Sequence, residues 1–398
     1  QDKSNNAFLI LLPFLSFKMD KVELRADGRT LDGTLSFAST RFDSYDLNLN
    51  LNGQFATGSI GHQLTVGVDL SRYEEFIDIT RAPAEPIDLF NPVYERPATA
   101  PFNQVVNGSN RTDTLGIYIQ DQVTLAENLK LLLGGRFDLF KQTNQDNLAD
   151  TRTSGSGNAF SPRVGIVYQP IQPISLYASY SRSFSPTFGT AFDGSQFQPE
   201  RGTQYEVGVK ADVSDRLSAT LALYDLTRTG VLTADNRPGV PPGEFEIQTG
   251  KQRSRGVELT AQGEILPGWN IIAGYAYTDA RLTQDNRLPI GNRLNGVPEN
   301  SLNLWTSYEL QEGDLQGLGF GLGLFYVGGR ETDLDSSSVE LPSYLRTDAA
   351  IFYRRDRFRA AINVKNLFNV DYFESSFGRD SISYGEPFTV QGTISWQF

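Results

Sequence analysis

The segment PFTVQGTISWQF, residues 387–398, alternates apolar and polar side chains. Phe388, Val390, Ile394, Trp396 and Phe398 share one parity, and Thr, Gln and Ser fill the places between them. Successive side chains of a β-strand point to opposite faces, so this period of two predicts a strand with one apolar and one polar face. The segment ends on a bare aromatic residue, which any proposed fold has to explain.

The same period of two recurs along the chain from residue 31 onward. It is clear in QGLGFGLGLFYVGG (316–329), GWNIIAGYAYT (268–278) and FRAAINVK (358–365), and no helical period of similar length competes with it. We predict about sixteen strands, near 31–41, 44–56, 59–73, 113–126, 128–142, 158–170, 173–184, 202–213, 216–228, 245–264, 268–278, 298–311, 316–329, 342–354, 358–365 and 384–398.

The connections between these strands alternate between short turns and long loops. The long connections are expected near 74–112, 142–157, 185–201, 229–244, 281–297, 330–341 and 369–383. All short turns then lie at one end of the sheet, as in outer-membrane β-barrels with short periplasmic turns and long extracellular loops. A soluble β-sandwich has no reason to sort its loops in this way. Aromatic residues near strand ends suit the two interfacial girdles, although a sandwich core is the alternative for any single one: Trp269, Tyr308, Tyr326, Tyr353 and Trp396.

The composition agrees with a membrane barrel and excludes several other classes of protein. The chain has 398 residues, no Cys, one His, 37 Gly and a net charge of -12, with a mean hydropathy of -0.33. A barrel of this width has a polar lumen, so about half of its strand residues are polar and a negative mean hydropathy is expected. No apolar run reaches the length of about 18 residues that a transmembrane helix needs. The acidic balance argues against nucleic acid as a partner, and the lack of Cys excludes a disulfide framework.

Several motifs, taken in order, resemble one known family. They are GIYIQDQVTLAENLKLLLGGRFD (116–138), SPRVGIVYQP (161–170), LYASYSRSFSP (176–186), PERGTQYEVGVKAD (199–212), SRGVELTAQGEILPGWNIIAGYAYTDAR (254–281), VPENSLNLWTSYE (297–309) and NVKNLFNVDYF (363–373). They are spread over residues 116–373, most of the chain after about residue 40, and are similar to the barrel of TonB-dependent ferric-siderophore receptors.

The resemblance implies a multi-pass protein of the cell outer membrane of a Gram-negative-type bacterium, and it implies a transporter rather than an enzyme. Receptors of this family enclose a plug domain in a barrel of about 22 strands. The loops and the plug bind a ferric siderophore, and the inner-membrane TonB-ExbB-ExbD complex pulls on a short box at the start of the plug. The implied partners are therefore the siderophore, the TonB complex, the outer-membrane lipid and the outer-membrane assembly machinery. No cofactor and no nucleic acid are implied.

The chain departs from the family pattern at its N-terminal side. About sixteen strands are readable, and no segment before residue 31 has the length or pattern of a plug. We therefore expect an irregular or truncated segment over 1–30 and a receptor barrel over 31–398, with the plug and the first strands absent. The expected product is a receptor fragment or the product of a broken gene.

The ligand class is narrowed by the residues of the long loops. The single histidine, His62, lies beside a short turn, which disfavours haem as the ligand and favours an interfacial polar role for this side chain. A siderophore already satisfies its iron, so the receptor needs aromatic, polar or basic groups for the organic shell. Candidate ligand contacts, each of which has loop packing as its alternative, are Tyr94, Arg96, Phe184, Phe188, Arg330, Tyr372, Phe373, Phe377 and Arg379.

The C-terminal aromatics have a separate interpretation. Trp396 and Phe398 resemble the signal by which the outer-membrane assembly machinery recognises a last strand. Two other functions remain open: a passive porin-type channel of sixteen strands, and a soluble β-rich binding module. No metal site, catalytic triad or nucleotide loop is predicted, because ETDLDSSS (331–338) lacks the spacing of a calcium loop and GLGFGLG (317–323) does not precede a helix.

Overall fold

The structure of the protein is a computed structural model that describes residues 16–93, 97–187, 189–240, 245–335, 338–378 and 381–397, with side chains described from residue 25 onward. The described residues form strands, turns and loops only. The strands are β1 (Ser16–Leu24), β2 (Thr30–Thr57), β3 (Ile60–Asp88), β4 (Asn103–Ala126), β5 (Leu129–Asp146), β6 (Thr151–Ile171), β7 (Ile174–Ser185), β8 (Glu200–Ser214), β9 (Leu217–Ala234), β10 (Glu246–Leu266), β11 (Trp269–Gln284), β12 (Asn300–Glu309), β13 (Leu318–Val327), β14 (Arg330–Glu331), β15 (Glu340–Leu341), β16 (Tyr344–Arg355), β17 (Phe358–Lys365), β18 (Phe373–Ser376), β19 (Ile382–Tyr384) and β20 (Thr389–Trp396). Across the described ranges, no helix has the length and hydropathy needed to cross a membrane.

Sixteen of these strands form one sheet in which the neighbours follow the order of the chain, from β1 to β13 and then β16, β17 and β20. The remaining four form two small hairpins, β14–β15 and β18–β19, inside the connections before β16 and before β20. This meander confirms the predicted all-β class and the predicted number of strands in the main sheet. The chain divides into two compact units, one comprising 1–51, 66–118 and 136–159 and the other comprising 52–65, 119–135 and 160–398.

The agreement in strand number hides two compensating errors. The predicted strands 31–41 and 44–56 are one continuous strand, β2. The second error is β1, which lies in the segment 1–30 that the sequence predicts to be irregular. Residues 1–15 of that segment fall outside the described residues. The apolar residues of β1 change parity between Met19 and Val22, where its pairing with β2 also slips in register. That change of parity hides the strand from a search for strict alternation.

The strands of the first unit also extend into two segments that were predicted to be long loops. In the predicted loop 74–112, β3 continues to Asp88 and β4 begins at Asn103. In the predicted loop 142–157, β5 and β6 are joined by residues 147–150, where Asp150 has a φ of 50°. These extensions mix polar and apolar residues without a clear period, so the sequence pattern does not show them, whereas ladder hydrogen bonds do not depend on side-chain polarity.

The sheet of the second unit has one continuous apolar face. Its strands are paired so that apolar side chains stand directly opposite one another. One such row crosses β9 to β13 at Leu221, Leu259, Tyr275, Leu302 and Tyr326. All five side chains are exposed. An apolar surface of this extent is unfavourable in water and favourable in contact with lipid.

The opposite face of the same sheet carries aromatic rings that lie over glycines around β13. Gly319, Gly321 and Gly323 of β13 receive aromatic rings from neighbouring positions rather than leaving open space. The Trp305 ring covers Gly321 and Gly323, and a Cβ added at Gly321 would lie 2.6 Å from that ring. The Phe352 ring covers Gly319 in the same manner. Glycine is needed here because only a residue without a side chain lets the ring lie against the backbone.

The two faces should respond differently to the same substitution. Leu259→Arg places a charge on the apolar face, and we expect it to lower the free energy of unfolding in lipid vesicles by between about 1 and 4 kcal/mol, depending on depth. Thr260→Arg is the matched control, because Thr260 is the next residue and lies on the polar face beside Gly274. Urea titration of protein folded into vesicles measures both. Equal losses for the two variants would contradict the assignment of the faces.

Candidate ligand-binding face

Five connections of the second unit lie at the end of the sheet opposite the short turns, and we call them the outer loops. They are loop A (186–199), loop B (235–245), loop C (285–299), loop D (328–343) and loop E (366–388). The short turns at the other end are 172–173, 215–216, 267–268, 310–317 and 356–357. This sorting confirms the alternation of turns and loops predicted for this part of the chain.

The predicted ligand contacts divide between described and undescribed residues. Phe184 lies at the end of β7 next to loop A, and Arg330, Tyr372, Phe373 and Phe377 lie in loops D and E. The other four candidates fall outside the described residues: Tyr94, Arg96, Phe188 and Arg379.

Arg330 links loops D and E and is almost completely buried. Its Nη1 donates to the carbonyl oxygen of Glu374 and its Nη2 to that of Phe373, both at 2.7 Å. The Tyr344 ring centroid lies 5.5 Å from the guanidinium carbon of Arg330, and the ring of Tyr372 packs against Tyr344 at 4.3 Å. The structure therefore brings Arg330, Tyr372 and Phe373 together at the base of loop E. Their direct contact with a ligand stays a prediction.

The phenol of Tyr372 is held at the same base. It accepts a hydrogen bond from the backbone N–H of Glu386 at 3.2 Å and lies 3.5 Å from Nη1 of Arg346. The ring covers Gly385, where an added Cβ would overlap it. Arg346 is itself paired with Asp348 at 3.1 Å. Tyr372 is thus positioned by loop E and by β16 at once.

Asn366 fixes the start of loop E, although the sequence did not single it out. The side chain is fully buried, and the residue adopts a φ of 49°. Its Nδ2 donates to the carbonyl oxygens of Val370 at 2.9 Å and Glu386 at 3.0 Å, and its Oδ1 accepts from the N–H of Val370 at 2.8 Å. Asn tolerates the left-handed backbone and bonds to nearby main chain, so the Asn residues of NVKNLFN were the available signal.

Several aromatic side chains of loop E are exposed, Phe368 and Phe388 among them, and the two most exposed in the described part of the loop are Phe377 and Tyr384. Phe377 is 80% exposed and Tyr384 is 76% exposed. The Tyr384 ring also packs against Phe373, with 5.1 Å between the ring centroids. Tyr384 was missed because it was assigned to the start of the last predicted strand, whereas the structure places it in β19. Phe184 is half-buried.

Asp235 at the start of loop B is fully buried and neutralised within the loop. Its carboxylate accepts hydrogen bonds from Nε of Arg237 at 2.9 Å and from Nη2 at 2.6 Å. These hydrogen bonds hold the pKa of Asp235 below its usual range. A buried carboxylate paired in this way orders the loop that contains it.

The remaining candidates lie elsewhere. His62 is at the short-turn side of β3, where its Nδ1 lies 2.7 Å from Oδ2 of Asp121 and its ring stacks on Phe55 at 4.7 Å. Trp396 in β20 is exposed and packs on Phe358 across the strand pair, with 6.1 Å between ring centroids. Phe398 falls outside the described residues. Within those that are described, no group of three or more His, Cys, Asp or Glu side chains could hold a metal ion.

Comparison with known proteins gives consistent matches over nearly the whole chain. The family model "TonB dependent receptor-like, beta-barrel" matches residues 12–367. The metal-pseudopaline receptor CntO of Pseudomonas aeruginosa (strain UCBPP-PA14) is 35% identical over 384 residues, covering 93% of this chain and 53% of that protein. The ferrichrome outer membrane transporter/phage receptor of Escherichia coli K12 is 32% identical over 375 residues, covering 90% of this chain and 49% of that protein.

The fold is also that of a solved receptor. FpvA of P. aeruginosa, in complex with a heterologous pyoverdine and iron, superposes with a TM-score of 0.77 at 24% identity, covering 97% of this chain and 52% of that one. The chain therefore spans about half the length of the curated relatives it matches.

Loop B should stay ordered in mild acid as long as Asp235 is present. Because the pKa of Asp235 is lowered in the folded loop, its ion pair with Arg237 contributes full stability above the unfolded-state pKa of about 4. That stability is lost only as the pH falls through the lower pKa of the folded state. A spin label at Val240→Cys should therefore be equally immobile at pH 7 and pH 5, and Asp235→Asn should make it mobile at both. The chain has no native Cys to interfere.

The matched control for loop B is Asp215→Asn, in a short turn at the other end of the sheet, which should leave the label immobile. If the label loosens between pH 7 and pH 5 without any substitution, the assignment of Asp235 as an ionised anchor is wrong.

Proposed function

Because the chain belongs to the TonB-dependent receptor β-barrel family, whose barrels lie in the outer membrane of Gram-negative bacteria, we propose that it forms barrel wall and ligand-binding loops of a receptor that imports ferric siderophores. The relatives are receptors and transporters rather than enzymes. Energy for import would come from the TonB-ExbB-ExbD complex acting through a plug domain.

The observation that supports this proposal most directly is the arrangement of the second unit. One face of its sheet is apolar, the opposite face is polar, and the five long loops share one end. A wall with these properties separates lipid from a lumen and presents its loops to the outside medium. The names of the relatives point to metal chelates as the class of ligand: one is a metal-pseudopaline receptor and another a ferrichrome transporter.

The loops supply the side chains that such a ligand needs. A chelate that already surrounds its metal is held by apolar and aromatic contacts together with a few polar groups. In our proposal Phe377 and Tyr384, the most exposed aromatics of loop E, contact the ligand directly. Arg330 and Tyr372 act from beneath them, because both Nη groups of Arg330 and the phenol of Tyr372 are bonded within the loop base. Phe184, Phe188, Tyr94, Arg96, Phe373 and Arg379 remain further candidates for contact.

The face opposite the apolar one, with its aromatic rings over glycines of β13, suits the lumen side of a receptor. Rings that lie on glycine, such as Trp305 on Gly321 and Phe352 on Gly319, leave the space above the sheet free. We infer that a plug domain would occupy that space in the complete receptor. Trp396, together with Phe398, keeps its proposed role in recognition by the outer-membrane assembly machinery.

The proposal can be tested by titrating the purified chain in detergent with ferrichrome and with the iron complex of desferrioxamine B, following tryptophan fluorescence. We expect saturable quenching, and Phe377→Ala should weaken it by about tenfold, since removal of an aromatic anchor costs more than about 1 kcal/mol. Phe320→Ala is the matched control, because Phe320 is an exposed phenylalanine on the apolar face. Absence of saturable binding, or an equal loss in both variants, would argue against the proposed function.

A further inference from the structure

The five outer loops are connected to one another or to the strand ends beside them by hydrogen bonds, most of which run from a side chain to a backbone carbonyl oxygen. We call each of these bonds a brace. The braces connect loop B to loop C, loop C to loop D and loop D to loop E. Loop A is braced to β10 and meets loop B through an aromatic contact.

Loop A is braced to Gln248, the third residue of β10, which is the strand that follows loop B. Its Oε1 accepts from the N–H of Gln198 at 2.6 Å, and its Nε2 donates to the carbonyl oxygen of Gln198 at 2.5 Å and to that of Gly230 at 3.0 Å. The Phe192 and Phe245 rings meet edge to face, with 4.9 Å between their centroids. A single glutamine therefore holds loop A to the strand that follows loop B.

Loops B and C are braced in both directions. Nδ2 of Asn236 donates to the carbonyl oxygen of Asn286 at 3.0 Å, and Nδ2 of Asn286 donates to the carbonyl oxygen of Ala234 at 3.1 Å. Asn236 thus bonds to the main chain of loop C, and Asn286 bonds to the main chain at the end of β9, next to loop B. The relative position of the two loops is fixed by backbone atoms rather than by a pair of side chains.

Loops C, D and E complete the series. Nδ2 of Asn292 donates to the carbonyl oxygen of Leu334 at 2.9 Å, and the N–H of Gly296 donates to that of Glu331 at 2.8 Å. Arg330 then joins loop D to loop E through its two bonds to the carbonyl oxygens of Phe373 and Glu374. Arg330 is almost completely buried, so the loss of these bonds would leave polar groups without partners.

The charge of loop D favours braces of this kind. Loop D carries Glu331, Asp333, Asp335 and Glu340 against the one basic residue Arg330. Like charges on neighbouring loops repel one another and favour a spread arrangement. Bonds to uncharged backbone carbonyls hold the loops together without adding further charge.

We propose that Gln248, Asn286, Asn292 and Arg330 are positioning residues that make the five outer loops one cooperative unit. A ligand then meets a surface that is already assembled, and it does not have to order five independent loops at the cost of its own binding free energy. The ligand part of this inference rests on the proposed function, whereas the coupling between the loops does not.

The coupling is tested without ligand by hydrogen–deuterium exchange of the full chain in detergent. Asn286→Ala should speed exchange by about five- to tenfold in loops B and C, and it should also speed exchange in loops A and D, which Asn286 does not touch. Asn286→Asp, which keeps the shape and loses the donor, should act in the same direction with less risk of misfolding. Asn295→Ala is the matched control, since Asn295 is an exposed asparagine of the same loop.

Two outcomes would overturn the coupling. One is faster exchange confined to loops B and C in both Asn286 variants. The other is strict additivity when Gln248→Ala and Asn292→Ala are combined, since residues in one cooperative network give non-additive effects. Arg330→Lys should be intermediate between the parent chain and Arg330→Ala, because lysine can restore one of the two carbonyl bonds.

A second measurement separates this inference from the proposed function. Titration with the iron complex of desferrioxamine B should show weaker binding for Asn286→Ala, and Asn295→Ala should bind like the parent. If hydrogen–deuterium exchange is coupled between the loops but the iron complex does not bind, the cooperative unit is supported and the proposed class of ligand is contradicted. Normal binding by an Asn286 variant with loosened loops would contradict the positioning role.

Discussion

The pairing of backbone hydrogen-bonding groups is the constraint on which the rest of this structure depends. Peptide groups in hydrocarbon have no water to bond, so each strand that crosses lipid must be paired along both edges. Pairing in chain order then imposes the remaining features: side chains alternate between a lipid face and a polar face, and connections alternate between the two ends. The position of the outer loops at one end is therefore a consequence of the sheet, and the sheet limits how far apart consecutive loops can start.

Where this constraint acts on side chains, the sequence predicts the fold well. The rows that contain Leu259 and Tyr275 follow from alternation alone, as do the short turns. Prediction fails where backbone pairing continues without alternation. The parity change between Met19 and Val22 hid β1, and the mixed composition of residues 74–88 hid the extension of β3. In both places pairing with neighbouring strands keeps the chain extended. The sequence of one segment does not show which strands will pair with it.

The candidate site was predictable by residue type but not by role. Aromatic and basic residues of the long loops were identified, and the structure does bring Arg330, Tyr372 and Phe373 together. The sequence could not show that Arg330 bonds to backbone carbonyls of a loop more than 40 residues away. The same holds for Asn366, Gln248 and Asn286, whose partners are main-chain atoms. A carbonyl oxygen is present at every position, so no residue pattern marks it as a partner.

The glycines beneath Trp305 and Phe352 have a consequence for movement along the sheet. Rings packed over glycines cover this part of the sheet with aromatic surface, so a body that slides over it would exchange dispersion contacts instead of breaking hydrogen bonds. We expect such a wall to offer little friction. In the proposed importer, glycine in a strand would then lower the barrier to passage through the lumen rather than merely allow the strand to bend.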